Sequence, residues 1–600
     1  MPPYGHGHFI RRALESLRAQ TLTDWELIVV DDGSPDQTAD VVRPYLADAR
    51  CSYVRLEENR GFGAALNGAL DRARAPYIAY LPSDDAYYPE HLTSLVWHLE
   101  KRQDAIAAYA GARHHGQGYA RGQIEGFPLQ LVQVLHRRTA DRWRERDELV
   151  SDQLDWLFWD KLRGRGTFVG TDAVTCEWVD HPRQQHKVIR ESLHGGDNPY
   201  RQRYQVRAPL RFRSSEGDHV DEGALYRRFR ERERTPTSPD GLRILIVGEL
   251  AYNPERVLAL EERGHRLYGL WIEDGWGFNS VGPLPFGHVE DIPMSGWREA
   301  VRALRPDVIY ALLNWHAVPL AHDVLQAGLG VPFVWHFKES PFACLERGTW
   351  PELVQLYERA DAQIYSSPEM HDWFDAVLPG IVRSDRALVL DGDLPKRDWL
   401  SGEPQPRLSV TDGELHTVVI GRPFGIHPEH VARLAALGIH THFYGTYFGD
   451  WWRGWIEEAS RLAPAHLHLH PTVRADRWVS ELSRYDAGWL HLFESGNGGD
   501  IRRARWDDLN YPSRMCTLIA AGLPLLQLDQ GDAVVAAQAL VRARRLGLLV
   551  TDLEDLRSRL MDEDLMGSLR DSVWRQREEF TFDHHADRLV GMLRSAVARR

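Results

Sequence analysis

The sequence predicts an α/β protein of doubly wound, largely parallel sheets, and three observations carry that expectation. Short apolar runs alternate with helical patterns at the spacing of βαβ units. A charged stretch with Pro and Gly, "HGGDNPYRQRYQVRAP" through "RRFRERERTPTSPDG", interrupts the alternation between 195 and 240. Apolar strands then start afresh at 242 and at 415, so two further α/β domains follow the first.

In order along the chain, "HFIRRALESLRAQ" sets Phe9, Ile10, Ala13, Leu14 and Leu17 on one helical face. "WELIVV" (25–30) is a short buried strand ending in "DDGSPDQT", whose Gly, Ser and Pro mark a turn. A helix over 37–47, the strand "CSYVRL" (51–56), a helix from near Gly63 and the strand "YIAYL" (77–81) follow. Beyond the break come "LRILIVGEL" (242–250), the helical "NPERVLALEERGH" and the strand "RLYGLWI". Alternation continues through "DVIYALL" (307–313), "PFVWHF" (332–337) and "AQIYSS" (362–367). The last start, "LHTVVIGRP" (415–423), leads to a helix (428–437), "THFYG" (441–445), "LHLHP" (467–471), "AGWLHLF" (487–493) and "GLPLLQL" (522–528). The expected domains are 1–195, a linker at 196–240, and two Rossmann-like domains at 241–400 and 401–600. In such sheets ligands lie beyond the C-terminal ends of the strands.

The formal charge of −14 argues against a general basic field for nucleic acid, so phosphate ligands need local solutions. Cys51, Cys176, Cys344 and Cys516 stand far apart, which gives neither a disulfide framework nor finger spacing. No run of eighteen apolar residues exists, and the first twenty residues lack the apolar core of a secretion signal. The expected compartment is the cytoplasm, up to peripheral contact with the inner face of the membrane. The 21 tryptophans are expected mainly in cores rather than as sugar platforms.

Three N-terminal segments fall where a parallel sheet presents ligand-binding groups. Asp31 and Asp32 end one strand, Asn59, Gly61 and Gly63 in "NRGFGAALNGAL" open a helix, and Ser83-Asp84-Asp85 ends another strand. A helix N-terminus favours phosphate, whereas paired carboxylates repel it unless a divalent cation stands between them. A nucleoside diphosphate with Mg²⁺ or Mn²⁺ reconciles the two. Each segment also has a plainer reading as a turn or a helix cap.

Taken together, "ELIVVDDGSPDQT", "NRGFGAALNGAL" and "YLPSDDAYYPEHL" resemble, in order and spacing, the family 2 glycosyltransferases of the GT-A fold over residues 1–190. The resemblance implies that Tyr4, Asp31, Asp32, Asn59 and Gly61 bind the nucleoside of a nucleotide sugar. It further implies that Asp84 and Asp85 hold the metal and diphosphate, with His181 of "VDHP" beside them. Pro82 stands where the family often has a further aspartate, and "MPPYGHG" matches only the turn after the family's opening strand, so that strand is missing here. Inverting transfer needs a carboxylate base. "VSDQLDWLFWDKL" (150–162) offers Asp155 first and Asp152 second, with Leu154 in place of the family's glutamate.

"NYPSRMCTLIAAGLPLL" (510–526), "EERGHRLYGLWI" (261–272) and "VVIGRP" (418–423) resemble family 4 glycosyltransferases of the GT-B fold. That resemblance implies Arg422, Ser513 and Arg514 at the donor diphosphate, Glu494 as half of an acidic pair, and no metal. Thr517 replaces the glutamate that meets the donor ribose, which points to another donor or to a binding domain.

His466, His468 and His470 alternate along one strand, a pattern read as structural because no carboxylate is placed to complete a metal shell. "WHFKESPF" (335–342) is expected to line the cleft between the Rossmann-like domains. The combined expectation is a glycosyltransferase with a nucleotide-sugar donor and a glycan or lipid-linked glycan acceptor, bifunctional in surface polysaccharide synthesis. The alternatives are one catalytic module with the other binding acceptor, or a non-catalytic nucleotide-sugar or glycan-binding protein. A dinucleotide oxidoreductase fits poorly, because "GELAYNPE" lacks a glycine-rich turn.

Overall fold

A computed structural model describes residues 1–191, 197–206, 208, 210–215, 219–221, 233–248, 254–272, 289–445, 452–471, 473 and 475–599. The chain forms two compact units, Met1–Arg227 and Arg228–Arg600. The α/β class expected from the alternation is the one observed.

In the first unit, β1 (Leu27–Asp31) and β2 (Cys51–Arg55) pair in parallel, from Leu27↔Cys51 to Asp31↔Arg55. A second sheet runs β3 (Tyr77–Ala79), β7 (Val134–Arg137), β5 (Ala105–His114), β9 (Thr167–Glu177), β4 (Ala86–Tyr87), with β6 (Gly118–Ala120) on β5. The helix Ile10–Arg18 buries Ile10, Ala13, Leu14 and Leu17, as its spacing predicts. The buried Leu and Ile side chains of that stripe each contribute about 1.5–3 kcal/mol.

No strand stands between β1 and β3 among the described residues. Residues 1–3 instead run beside β1: the Met1 amino group donates to Ile28 O, Val30 N to Met1 O and Asp32 N to Pro3 O, each at 3.0 Å. This stub sets Tyr4 near the strand's C-terminal end. Leu22, Trp25, Leu66, Leu70, Ile78 and Val96 line a cavity of about 760 Å³ between the two sheets.

The segment expected as a linker is partly structural. The helix Asp197–Tyr204 precedes β10 (Arg211–Arg213), which pairs in parallel with β8 (Val150–Ser151) and antiparallel with β11 (His219–Asp221). Tyr200, Val206, Leu210 and Phe212 are buried with Val150 and Ile189. That small apolar core overrides the charged composition. Residues 222–232, 249–253 and Trp451 of "WWRGWIEEA" lie outside the described residues.

The second unit holds two all-parallel sheets. One runs β14 (Glu290–Asp291), β13 (Arg266–Trp271), β12 (Arg243–Gly248), β15 (Val308–Leu313), β16 (Phe333–Phe337), β17 (Ala362–Tyr365), β18 (Ala387–Val389). The other runs β21 (Leu467–His470), β20 (Ile439–Tyr444), β19 (Leu415–Ile420), β22 (Ala487–Trp489), β23 (Leu525–Leu528), β24 (Gly547–Val550). In each sheet the first strand in sequence has neighbours on both sides, so the order reverses there and opens a crevice at the strands' C-terminal ends. The helix Phe582–Ala598, expected with the second sheet, packs on the helix Pro254–Glu262 and on β15 and β16 of the first. Lys396 secures it, with Nζ 2.6 Å from both Asp583 and Glu262.

The alternating histidines belong to a larger array. Asp412 Oδ2, His416, His442 and His470 form one chain, with Nε2 of His416 at 3.0 Å from Asp412 and then Nδ1-to-Nε2 separations of 2.9 Å. Glu414, His440 and His468 form a second. With the carboxylates ionised, every neutral ring donates from Nε2 and accepts at Nδ1, so the polar groups are mutually satisfied. The carboxylates of Asp412 and Glu414 come from the segment entering β19 and anchor the two chains by hydrogen bonds. Among the described residues no helix is long and apolar enough to cross a membrane.

Candidate active site

A cavity of about 180 Å³ in the first unit gathers Tyr4, Asp32, Gly61, Asp84, Asp85, Asp152 and Asp155. Of the aspartate pair ending β1, only Asp32 lines it. Asp31 is fully buried, and its carboxylate accepts Ser34 N at 2.8 Å and Tyr53 OH at 2.5 Å. Asp31, expected at the nucleoside, stands outside this lining and braces the strand end. Asp32 accepts Arg60 N at 2.6 Å, Gly61 N at 2.8 Å and Asn59 Nδ2 at 2.8 Å, yet burial still lifts its carboxyl to about 6.

Asn59 is spent on Asp32 and on Arg146, which donates to the Asn59 carbonyl at 2.8 Å. It does not line the cavity. Gly61 has φ of 95°, which only glycine adopts easily. A Cβ on Gly63 would lie 2.0 Å from Arg144 O, so this turn needs a bare backbone there.

Asp84 and Asp85 have different surroundings. Asp85 is 3% exposed, accepts Val179 N at 2.8 Å, and is raised well above the usual carboxylate range by burial and then by Asp84. It lines the cavity and at the same time braces β4 against the end of β9. Asp84 Oδ2 instead meets His181 Nε2 at 3.0 Å, and His6 Nδ1 meets Ser83 Oγ at 2.7 Å. Donor atoms of His6, Asp84 and His181 all lie within 4.8 Å of one another, the one such set among the described residues. Two imidazoles and one carboxylate make a donor set that suits a divalent cation. Burial keeps His6 below the ordinary histidine value, hence neutral and able to ligate at pH 7.

The two candidate bases separate as clearly. Asp152 accepts Arg190 Nε at 2.5 Å and Ser215 N at 2.9 Å, with its side chain fully covered. Asp155, in the first turn of the helix Leu154–Arg163, is raised to about 7 by burial alone, with no cation or donor opposing it. A carboxylate poised near neutral pH is what proton abstraction at pH 7 requires.

Sequence reasoning missed Arg183, Arg190, Arg203 and Tyr204, which also line the cavity. Tyr204 packs on Tyr4 with ring centroids 5.4 Å apart. The available signal was the interleaving of basic and aromatic residues in "YRQRYQVR", hidden because the segment read as a linker.

In the second unit, Arg422 follows β19 and Arg514 lies in the first turn of the helix Ser513–Ala520. Arg514 Nη2 donates to Arg422 O, while its Nη1 is buried without a hydrogen-bond partner. Burial, and then Arg422, lowers Arg514 to about 9, and burial with both arginines lowers His491 to about 3. Ser513 and Glu494 are exposed, and Glu494 contributes its carbonyl to Arg505. In "WHFKESPF", His336 is fully buried between Tyr310 OH at 2.7 Å and Leu390 O at 3.0 Å, so it braces the sheet instead of lining a cleft.

Residues 1–158 match the family described as Glycosyl transferase family 2. The chain is 36% identical over 129 residues to the putative teichuronic acid biosynthesis glycosyltransferase TuaG of Bacillus subtilis (strain 168), covering 21% of this chain and 48% of that protein. It is 36% identical over 218 residues to chondroitin synthase of Escherichia coli, covering 32% of each. The chain thus spans about half or less of these relatives. Among solved structures, S. aureus TarS 1–349 in complex with UDP-GlcNAc is similar at 20% identity and TM-score 0.28, covering 33% of this chain and 68% of that one. Anabaena HepE in complex with UDP is similar at 11% identity and TM-score 0.43, covering 59% and 100%.

Proposed function

We propose that the chain is a glycosyltransferase that moves a sugar from a nucleotide-diphosphate donor to a hydroxyl of a glycan or lipid-linked glycan. One observation carries this reading: Asp32, Asp84 and Asp155, from three separate segments, line one cavity. Tyr4 and Asp32 take the nucleoside, and Arg183 and Arg203 add positive charge along the same wall. Asp84 and His181 hold Mg²⁺ or Mn²⁺, which when bound neutralises charge on the leaving diphosphate. Asp155 takes the acceptor's hydroxyl proton as that oxygen attacks the anomeric carbon. The bond to the donor oxygen breaks, its electron pair leaves with the diphosphate, and the configuration inverts. Asp152 orients this edge through Arg190. The names of the relatives support a surface polysaccharide as the product.

A second reading concerns the other unit, where Arg514 and Arg422 stand at a helix N-terminus beside a sheet crevice. Those cations support a metal-independent nucleotide-sugar site, and hence two linkages made by one chain. Release of nucleoside diphosphate from a panel of nucleotide sugars, with and without EDTA, tests both. If release continues undiminished in Asp84→Ala and without metal, the first assignment fails. Two different linkages lost in Asp84→Ala and Arg514→Ala support two active modules. One loss leaves the other module a binding domain.

A further inference from the structure

His6 falls outside the acidic motifs, yet it stands beside them. It comes from the turn ahead of the helix Ile10–Arg18, Asp84 from the loop after β3 and His181 from the loop after β9. Three separate segments thus bring three donors within 4.8 Å of one another. Donors about 2.1 Å from one cation in a tetrahedral shell stand about 3.4 Å apart. The widest pair therefore needs to close by up to about 1.4 Å, within reach of side-chain rotation.

The rings are held in ways that suit ligation. His6 Nδ1 is engaged by Ser83 Oγ at 2.7 Å, while its Nε2 makes no hydrogen bond among the described residues. Phe9 stacks on His181 with centroids 4.7 Å apart at 27°. His181 Nδ1 accepts Arg183 N at 3.2 Å, so its neutral ring carries the proton on Nε2, toward Asp84. A cation takes the place of that proton, which moves to Nδ1 at the expense of the long Arg183 contact. No net proton is released at His181.

We propose that His6 is a third protein ligand of the divalent ion, so that this chain binds the ion before the nucleotide arrives and favours a first-row transition ion over Mg²⁺. The inference rests on the metal reading of Asp84 given above. A site of one carboxylate needs phosphate oxygens to retain a cation, whereas three side chains need none. Imidazole nitrogen favours Co²⁺, Ni²⁺ and Zn²⁺, while Mg²⁺ prefers oxygen and keeps its waters.

The test is titration of the full-length protein with Co²⁺ and, separately, Mg²⁺, without nucleotide, followed by calorimetry and by the visible absorption of bound Co²⁺. Wild type is expected to take up one Co²⁺ and to bind Mg²⁺ far more weakly. His6→Ala and His6→Gln, checked by circular dichroism, are expected to lose at least about tenfold in Co²⁺ affinity, and Ser83→Ala to lose less. Equal affinity in folded His6 variants and wild type overturns the proposal, as does uptake by wild type only once UDP is added. If UDP with either ion shows no uptake and EDTA leaves transfer unchanged, the metal reading itself has failed.

Discussion

Asp152 and Asp155 stand three residues apart on one cavity wall, and Arg190 neutralises only the first, its Nε 2.5 Å from the Asp152 carboxylate. Asp155 has no such partner, and burial raises it to about 7. Identical side chains are thereby divided into a fixed strut and a carboxyl that titrates near neutral pH.

Asp155→Asn is expected to lower kcat by about 10²–10⁴-fold with little change in donor KM, because the base acts only as the acceptor proton leaves. In wild type the acid limb of kcat is expected to rise through about pH 7, since the proposed base works deprotonated. The stability sign is opposite. A carboxyl raised above its unfolded value disfavours the fold as pH rises from about 4 to 7. Asp155→Asn should therefore melt no lower than wild type at pH 8. A lower melting temperature there, or an acid limb unmoved in the residual activity, sinks the assignment.

Asp85→Asn is expected to fold and retain metal affinity, since an amide oxygen can still accept Val179 N. Asp85→Ala strands that buried N–H and should cost about 1–3 kcal/mol in urea unfolding. Asp84→Asn should keep stability and lose metal. Calorimetry on the three variants separates them, and loss of metal binding in Asp85→Asn would assign Asp85 to the ion.

The motifs made most of the first site legible: Tyr4, Asp32, Gly61, Asp84 and Asp155 reach one cavity because each ends a strand or opens a helix at the same sheet edge. Adjacent identical residues were not separable in sequence. Asp31 differs from Asp32, and Asp85 from Asp84, only in which way the backbone turns each carboxylate, and that depends on Tyr53 and Val179, 22 and 94 residues away. Arg203 was hidden because Tyr200 and Phe212 form a small core that composition does not reveal. The strand-helix order of the second unit was readable from apolar runs alone. The return of Phe582–Ala598 to the first sheet was not, since an amphipathic stripe fits either domain.

Arg514 carries a buried Nη1 with no hydrogen-bond partner, so an anion that reaches it should stabilise the second unit. Inorganic pyrophosphate or a nucleoside diphosphate at about 100 times its Kd would add about 2.7 kcal/mol, visible as a rise in melting temperature. Arg514→Met should abolish the shift while leaving the ligand-free protein as stable or more so, because it removes a buried cation. An undiminished shift in Arg514→Met places the anion elsewhere.

The histidine array is expected to make the second unit acid-sensitive. His442 is pushed down to about 2 by burial and then by His468, His416, His470 and His440, and burial also lowers His416, His468 and His470. Asp412 and Glu414 face the chains at one end, and Tyr485, Tyr444, Glu481 and Arg484 at the other. A proton on a middle ring sets N–H against N–H, so the fold admits it reluctantly, whereas the unfolded chain binds it near pH 6.5. The stability that these groups supply is therefore complete above pH 6.5 and is lost as pH falls below it. At pH 5, His442 alone accounts for about 2 kcal/mol of that loss. Urea unfolding of the full chain at pH 8 and pH 5 should show the second unit weakening, and His442→Asn should flatten the slope by about one proton. A slope unchanged in that variant would mean that protonation elsewhere drives the acid response.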